Sequence, residues 1–332
     1  MTKIIQIILI LLIGISARAQ DKGPGSVRIM FLNADGFYNT VDDPGAEDDD
    51  FIQGGSLGWD RQKYSERSSN IAGIIAGTGN DDLPGIVVIS GIENRVVAED
   101  ILSDRALKKG KYDILADGFY PGSGIVVAAM EGVVKIESNK IITPDLNPAI
   151  AEMSVILYVK ARLADGNIYH IFLNEWPSRV RSGSAGNSMR MLCAAAVRKE
   201  VDNIINFETD ARIVVMGSFY EEPTSGGIMS VLNATNKRKN FTNRDLYNLH
   251  YDLNNNDNLG TTMVNGTWQM YDFIAVSSAL LRGSNNYPER FEIGGIRKQS
   301  ESFGSAYRGM EYTGHSGNHL PVFIDIKLDL PE

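Results

Sequence analysis

The chain predicts a single α/β domain built as a sandwich of sheets covered by helices. Three observations point there. Short, β-branched apolar runs recur along its length, helical patterns fall between some of them, and other runs follow one another directly. No internal repeat, low-complexity stretch or Pro-rich linker divides the sequence. The runs that read as buried strands are Val27–Leu32, Gly85–Ser90, Gly124–Ala129, Ser154–Val159, Ile168–Asn174, Ile213–Met216, Phe273–Val276 and Val322–Ile326. Helical spacing appears at Arg61–Ile75, Ala98–Leu107 and Ser188–Phe207. In the last of these, Met189, Cys193, Ala196, Val197, Val201 and Ile204–Ile205 form a core-facing stripe, while Arg198, Lys199 and Glu200 point away.

Met1 to Ala19 has the form of a secretory signal peptide. Lys3 gives the positive start, Ile4 to Ile15 the apolar core and Ala17-Arg18-Ala19 the small-x-small cleavage site. The apolar run falls short of the ~20 residues that span a bilayer. The chain then divides into the signal peptide (1–19), a short segment (20–26) and one domain (27–328), with export to a periplasmic or extracellular location and no transmembrane segment in the mature chain. The formal charge is −9; without Lys3 and Arg18, 30 basic side chains face 41 acidic ones, a net −11. Such a surface disfavours nonspecific binding to nucleic-acid phosphates, and the basic clusters Lys108-Lys109 and Lys237-Arg238-Lys239 carry no interleaved aromatics. Cys193 is the only cysteine, so no internal disulfide forms, and its apolar helical setting reads as a buried thiol and not a nucleophile. The acidic stretch Asp42 to Asp60 holds Asp42, Asp43, Glu47, Asp48, Asp49 and Asp50; it reads as a solvated loop, with calcium binding the alternative that no EF-hand spacing supports, and Asn254–Asn258 reads as surface.

Six segments carry chemistry. They are Phe31-Leu32-Asn33 running on to Asp42-Asp43-Pro44, Ser90-Gly91-Ile92-Glu93-Asn94, Ser123-Gly124-Ile125-Val126-Val127-Ala128, Asn174-Glu175-Trp176-Pro177-Ser178-Arg179, Gly217-Ser218-Phe219-Tyr220-Glu221-Glu222-Pro223-Thr224 and Gly317-Asn318-His319-Leu320-Pro321-Val322. A seventh, Trp268 to Val276, contributes Asp272. In order and spacing they resemble the motifs of the endonuclease/exonuclease/phosphatase superfamily, metal-dependent phosphodiesterases and phosphatases, and most closely its secreted bacterial members. The resemblance covers nearly the whole mature chain. It implies a four-layer α/β sandwich of two packed mixed β-sheets flanked by helices, with an active-site cleft at Asn33, Gly91, Glu175, Ser218, Tyr220, Asp272, Asn318 and His319.

At most of these positions the side chain differs from the family pattern. Gly91 stands where the pattern has the metal-binding Glu, and glycine supplies no oxygen ligand for a hard cation. Glu93 would share a face with position 91 in an extended strand, although the pattern has its own Glu there. Ser123 and Val126 replace an Arg and an Asp. Glu175 replaces the His that stabilises the phosphoryl group, and a carboxylate repels a phosphate. Ser218 replaces the water-activating Asp and lacks useful basicity near pH 7; no adjacent base is visible to make it a nucleophile. Tyr220 replaces the phosphate-positioning Asn and is bulky enough to plug that pocket. Asp272 keeps its carboxylate. His319 remains, but Asn318 stands where an Asp would orient and charge it.

Each lost catalytic group costs about 3–5 kcal/mol of transition-state stabilisation, and the losses overlap. The first expectation is therefore a catalytically inactive binding module without a cofactor. Its cleft would use Trp176, Arg179, Tyr220 and Trp268, the aromatics stacking on a sugar, base or peptide, and Arg179 either holding an anion or pairing with a carboxylate. Its ligand or protein partner stays unidentified. A second is an active phosphodiesterase, nuclease or phosphatase with a rewired centre, in which Glu93, Glu175, Glu221 and Asp272 rebuild a Mg²⁺ or Mn²⁺ site; Asn33, Glu93 and Asp272 are its metal candidates. A third is a structural component of an exported assembly.

Overall fold

Alternation along the central strands dictates the layering. In β1 (Ser26–Phe37) Ile29 and Phe31 face one side while Met30 and Leu32 face the other, and all four are buried. β2 (Ile86–Ile92) and β8 (Arg212–Ser218) repeat the pattern with Val88 against Val87 and Ile89, and Val214 and Met216 against Ile213 and Val215. A strand apolar on both faces needs a cover on each. At about 1.5–3 kcal/mol for each large side chain removed from water, these faces decide the architecture.

In this computed structural model, which describes residues 25–46, 48–78, 82–144, 153–237, 239–255, 259–281, 291–292 and 303–329, two mixed sheets supply the inner cover for each other. The first runs β14-β17-β1-β2-β4-β3, the second β5-β6-β7-β8-β13-β10-β9. Their other members are β3 (Tyr112–Tyr120), β4 (Ser123–Met130), β5 (Val134–Ile141), β6 (Val155–Leu163), β7 (Ile168–Glu175), β9 (Ala234–Thr235), β10 (Leu246–Asn248), β13 (Asp272–Ser277), β14 (Phe291–Glu292) and β17 (Val322–Lys327). Helices α1 (Arg61–Thr78) and α2 (Arg95–Leu102) cover the outside of the first sheet through Ile71, Ile75, Val97 and Ile101. After the single-turn α3 (Arg179–Ser182), the long α4 (Gly186–Phe207) covers the second through Cys193, Val197, Val201 and Ile205. The result is the four-layer α/β sandwich. Met1 to Ala19, the expected signal peptide, lies outside the described residues, as do Glu47, Arg238 and residues 256–258. Among the described residues no helix is long and apolar enough to cross a membrane.

The α4 stripe is as expected, with Ala196 and Ile204 only partly buried at its edges. Helix α2 starts earlier than the apolar spacing indicates, because Asn94 caps it by accepting the Val97 N–H at 3.2 Å. β3 and β5 were absent from the sequence reading. β5 is an edge strand, largely exposed and carrying Lys135, Glu137 and Lys140, so it lacks an apolar run; β3 is interrupted by Asp113, Asp117 and Gly118.

Strand direction brings the chemistry to one edge. β1 and β2 are parallel, as are β7 and β8, and the C-terminal ends of all four reach the same side of the sandwich. Asp272 opens β13 directly opposite Ser218, and β17 follows from His319.

Candidate functional site

The floor of the cleft forms where β1 and β2 of one sheet meet β7 of the other. Gly91 has φ +64°, a left-handed conformation at a shift in the strand register between Ser90 and Ile92. A Cβ there would lie 2.3 Å from Asn33 Oδ1 and 3.1 Å from the Asp35 nitrogen. Asn33 Oδ1 is held in that place by the Asp35 N–H at 2.8 Å. From the opposite sheet Glu175 reaches over: Oε2 accepts the Gly91 N–H at 3.1 Å and Oε1 accepts the Ser123 hydroxyl at 2.9 Å. Glu175 is almost completely enclosed, and burial pushes its carboxyl up to about 7 against the pull of the Gly91 N–H, Ser123 and His319.

Beside this floor lies a second buried carboxylate with different surroundings. Asp272 is fully buried and accepts from three side chains. The Ser218 hydroxyl donates to Oδ1, the Thr262 hydroxyl to Oδ2 at 3.1 Å, and His319 Nδ1 to Oδ2 at 2.7 Å. Burial alone would raise the Asp272 carboxyl, but the His319 charge and hydrogen bond, with that from Ser218, hold it below its ordinary value. The partner responds in kind: burial works against the imidazolium, and the Asp272 charge and hydrogen bond raise His319 above its ordinary value. Asp272, and not residue 318, therefore orients and charges His319. The Asn318 amide turns outward and donates to the Met263 carbonyl at 2.8 Å. Ser218 has a carboxylate beside it after all, but one whose depressed pKa makes it a poor base, and the Ser218 side chain is fully enclosed.

Tyr220 closes the space between the two carboxylates. Its backbone has φ +51°, unusual for an aromatic residue. Asn33 Nδ2 donates both to Tyr220 Oη at 3.2 Å and to Ser218 Oγ at 2.9 Å. The ring meets His319 edge-on at 5.9 Å and leans on Tyr271 at 5.9 Å. Arg179 donates to the Tyr220 carbonyl at 3.0 Å and lies over the Tyr271 ring at 5.4 Å. Its approach to Glu221 is long, 3.9 Å, because Glu221 pairs with buried Arg190 at 2.6 Å.

Asn33, Gly91, Glu175, Ser218, Tyr220, Asp272 and His319 thus share one cleft. Other expected residues are engaged elsewhere. Trp176 is buried against Phe219 under the second sheet, with its indole donating to Asn174 Oδ1 at 3.0 Å, so it cannot stack on a ligand. Trp268, on the hairpin of β11 (Thr262–Val264) and β12 (Thr267–Gln269), stacks on Phe303 at 5.5 Å. Glu93 turns away because the left-handed Gly91 breaks the extended alternation; its Oε2 accepts the Asn39 N–H at 2.9 Å in the loop after β1. The sequence reading also missed two contributors. Thr262 has no distinguishing pattern. Arg67 does, since it shares the buried stripe of α1 with Ile71 and Ile75. Its guanidinium, 1% exposed, ties together the carbonyls of Ala34, Gly36 and Ser316 at the rim.

Comparison with known proteins agrees with this architecture. Among solved structures the chain is similar to a humanized D. rerio TDP2 carrying 14 mutations (14% identity, TM-score 0.58, covering 91% of this chain and 99% of that one). It is similar to an endonuclease/exonuclease/phosphatase from Bacteroides vulgatus (13%, TM-score 0.58, 92% and 99%), and to the human Nocturnin catalytic domain with bound sulfate (14%, TM-score 0.54, 91% and 94%). At such identities the likeness concerns the fold alone. No curated protein matches the chain. The family model described as Endonuclease/Exonuclease/phosphatase family matches residues 28–328, and with that span the chain belongs to this family.

Proposed function

We propose that this chain is an exported, catalytically silent member of the family that binds a ligand through its cleft. The observation that carries the reading is the packing at position 91. The resemblance puts a metal-binding carboxylate there, and here even a methyl group would collide with Asn33 Oδ1. The carboxylates that remain do not fit a hard divalent cation, which needs several uncommitted oxygens. Both oxygens of Glu175 and both of Asp272 already accept hydrogen bonds, and Glu221 is paired with Arg190. Among the described residues, the three acidic groups near enough to hold a metal are Asp42, Asp48 and Asp49, outside the cleft.

The ligand side follows from what the rim exposes. Arg179 and Arg181 are exposed, Tyr220 is half-buried, and the acids lie below them. This surface suits a ligand with an aromatic or sugar face and an anionic end. Export rests on the Met1 to Ala19 pattern, and N-terminal sequencing of protein recovered outside the cytoplasm checks it.

The rewired-enzyme reading keeps one specific support, the intact Asp272–His319 pair. A panel of nitrophenyl phosphates, phosphodiesters and oligonucleotides, each with Mg²⁺, Mn²⁺ or chelator, separates the two. The silent reading expects no turnover that differs between the wild type and His319→Ala. Metal-dependent turnover lost in both His319→Ala and Asp272→Ala would establish the rewired enzyme instead.

A further inference from the structure

The acidic loop after β1 is not simply solvated. It folds back on the turn between β2 and α2, and one carboxylate from each lies inside. Asp48 is 1% exposed and Glu93 4%. Asp48 Oδ2 accepts the Asp43 N–H at 2.9 Å, and Glu93 Oε2 accepts the Asn39 N–H at 2.9 Å. Among the described residues, Asp48 Oδ1 and Glu93 Oε1 are buried with no hydrogen-bond partner. Burial raises the Glu93 carboxyl, and Asp48 and Asp43 lie near enough to act on it in the same direction. A buried carboxylate oxygen left without a donor favours uptake of a proton or a cation.

The surroundings choose the cation. Asp42 and Asp49, both exposed, bring carboxylate oxygens within 4.8 Å of Asp48 and of each other. Asn94 Nδ2 fixes Asp43 Oδ2 at 2.7 Å, so the loop is tied to the start of α2 on this side. Carboxylate oxygens are hard ligands, and calcium accepts them in a flexible geometry with about six to eight neighbours. Magnesium demands a near-ideal octahedron and gives up its waters reluctantly, so a loop of carboxylates with an open side suits it less. Buried acids on the inner side and exposed acids on the outer side give an anchored site with an open approach.

We propose that Asp42, Asp48 and Asp49 form a calcium site that fastens the loop after β1, which Asp43 ties to Asn94 at the start of α2. The same loop carries Tyr38, stacked on Phe51 at 4.5 Å, so an occupied site stiffens the segment that follows Asn33 and Asp35 out of the cleft. The proposal is independent of the reading of the cleft as silent or active.

The full chain, stripped with EDTA, is titrated with CaCl₂ alone by calorimetry and followed by its Tm. The expected result is one ion per chain with a Kd on the order of 0.1–1 mM, a Tm that climbs with calcium, and magnesium weaker by about tenfold or more. Asp42→Asn with Asp49→Asn, at exposed positions, is expected to keep the metal-free Tm and weaken calcium binding by about tenfold or more. Asp48→Asn, which removes a buried acid with an unpartnered oxygen, is expected to raise the metal-free Tm and abolish the calcium response. Absence of saturable calcium heat up to about 5 mM, or a calcium response unchanged in the Asp42/Asp49 double variant, overturns the proposal.

Discussion

Glu175→Gln probes the floor of the cleft most directly. The wild-type carboxyl is 6% exposed, and burial moves it from 4.5 to about 7. Since the folded value lies above the unfolded one, the native state holds a proton that the unfolded chain releases between these two values. Stability therefore falls as pH rises from about 4.5 to about 7 and levels off above. At about 1.36 kcal/mol per pH unit, the whole loss is ~3 kcal/mol. Glutamine is neutral throughout; its Oε1 accepts the Gly91 N–H and its Nε2 donates to Ser123 Oγ, so the cross-sheet bridge survives. The variant is expected to match the wild type near pH 4.5 and to exceed it by roughly 2–3 kcal/mol at pH 8. Urea unfolding followed by tryptophan fluorescence, at steps of about half a pH unit, measures this. Chelator throughout keeps the acidic loop in the same state in both proteins. Parallel pH profiles would refute the reasoning, because they would mean that Glu175 ionises as an ordinary acid. A variant weaker at every pH would mean that the bonds to the charged carboxylate outweigh its desolvation.

Four other expectations follow from single contacts. Gly91→Ala, forcing a Cβ to 2.3 Å from Asn33 Oδ1 at φ +64°, is expected to cost about 1–3 kcal/mol in urea unfolding, and a change below about 0.5 would show that the floor yields easily. Arg67→Met leaves the Ala34, Gly36 and Ser316 carbonyls without their donor and is expected to cost at least about 3 kcal/mol by the same assay. In the wild type the raised His319 contributes stability below its unfolded value of about 6.5 that is lost as pH climbs through the folded one, while the lowered Asp272 contributes above about 3.8 and is lost as pH falls through its folded one. Asp272→Asn is expected to lose about 2–4 kcal/mol between those limits, with the His319 NMR titration moving down. Cys193, fully buried with its thiol pushed up to about 12, is expected to ignore a disulfide reagent until urea unfolds the chain.

Layers were legible in the sequence because burial on two faces writes itself as unbroken apolar runs. All eight expected strands are present, as are the three helices, with shifted ends. Exposed edges write nothing comparable, which is why β5 was missed. The location of the cleft was legible too, since motif order carried Asn33, Glu175, Ser218, Asp272 and His319 to one edge. Roles were harder. Adjacency in sequence paired His319 with residue 318, whereas antiparallel β13 delivers Asp272 from 47 residues away. Periodicity placed Glu93 on the face of position 91, and the positive φ of Gly91 cancels that periodicity. Trp176 looked like a binding aromatic because indoles often are; its place at the end of a strand buried on both faces makes it core instead. The acidic run looked solvated because composition cannot tell that Asp48 folds inward.

How the floor of the cleft holds together turns on three residues from two sheets. Glycine at 91 is required by the path of the chain, since Asn33 Oδ1 occupies the place of its missing Cβ. That leaves a main-chain N–H facing the gap, and Glu175 accepts it. A carboxyl so enclosed needs a second donor, and Ser123, at a position where the related pattern has a long Arg, is small enough to supply one at 2.9 Å. Each substitution makes sense only with the other two in place: a side chain at 91 would expel Asn33, a His at 175 would leave the Gly91 N–H facing a different partner, and an Arg at 123 would fill the gap. Donors and acceptors at the three positions are matched across the sandwich. The matched set makes the floor a packed unit, in which Glu175 exchanges its proton near pH 7 and not in the ordinary carboxylate range.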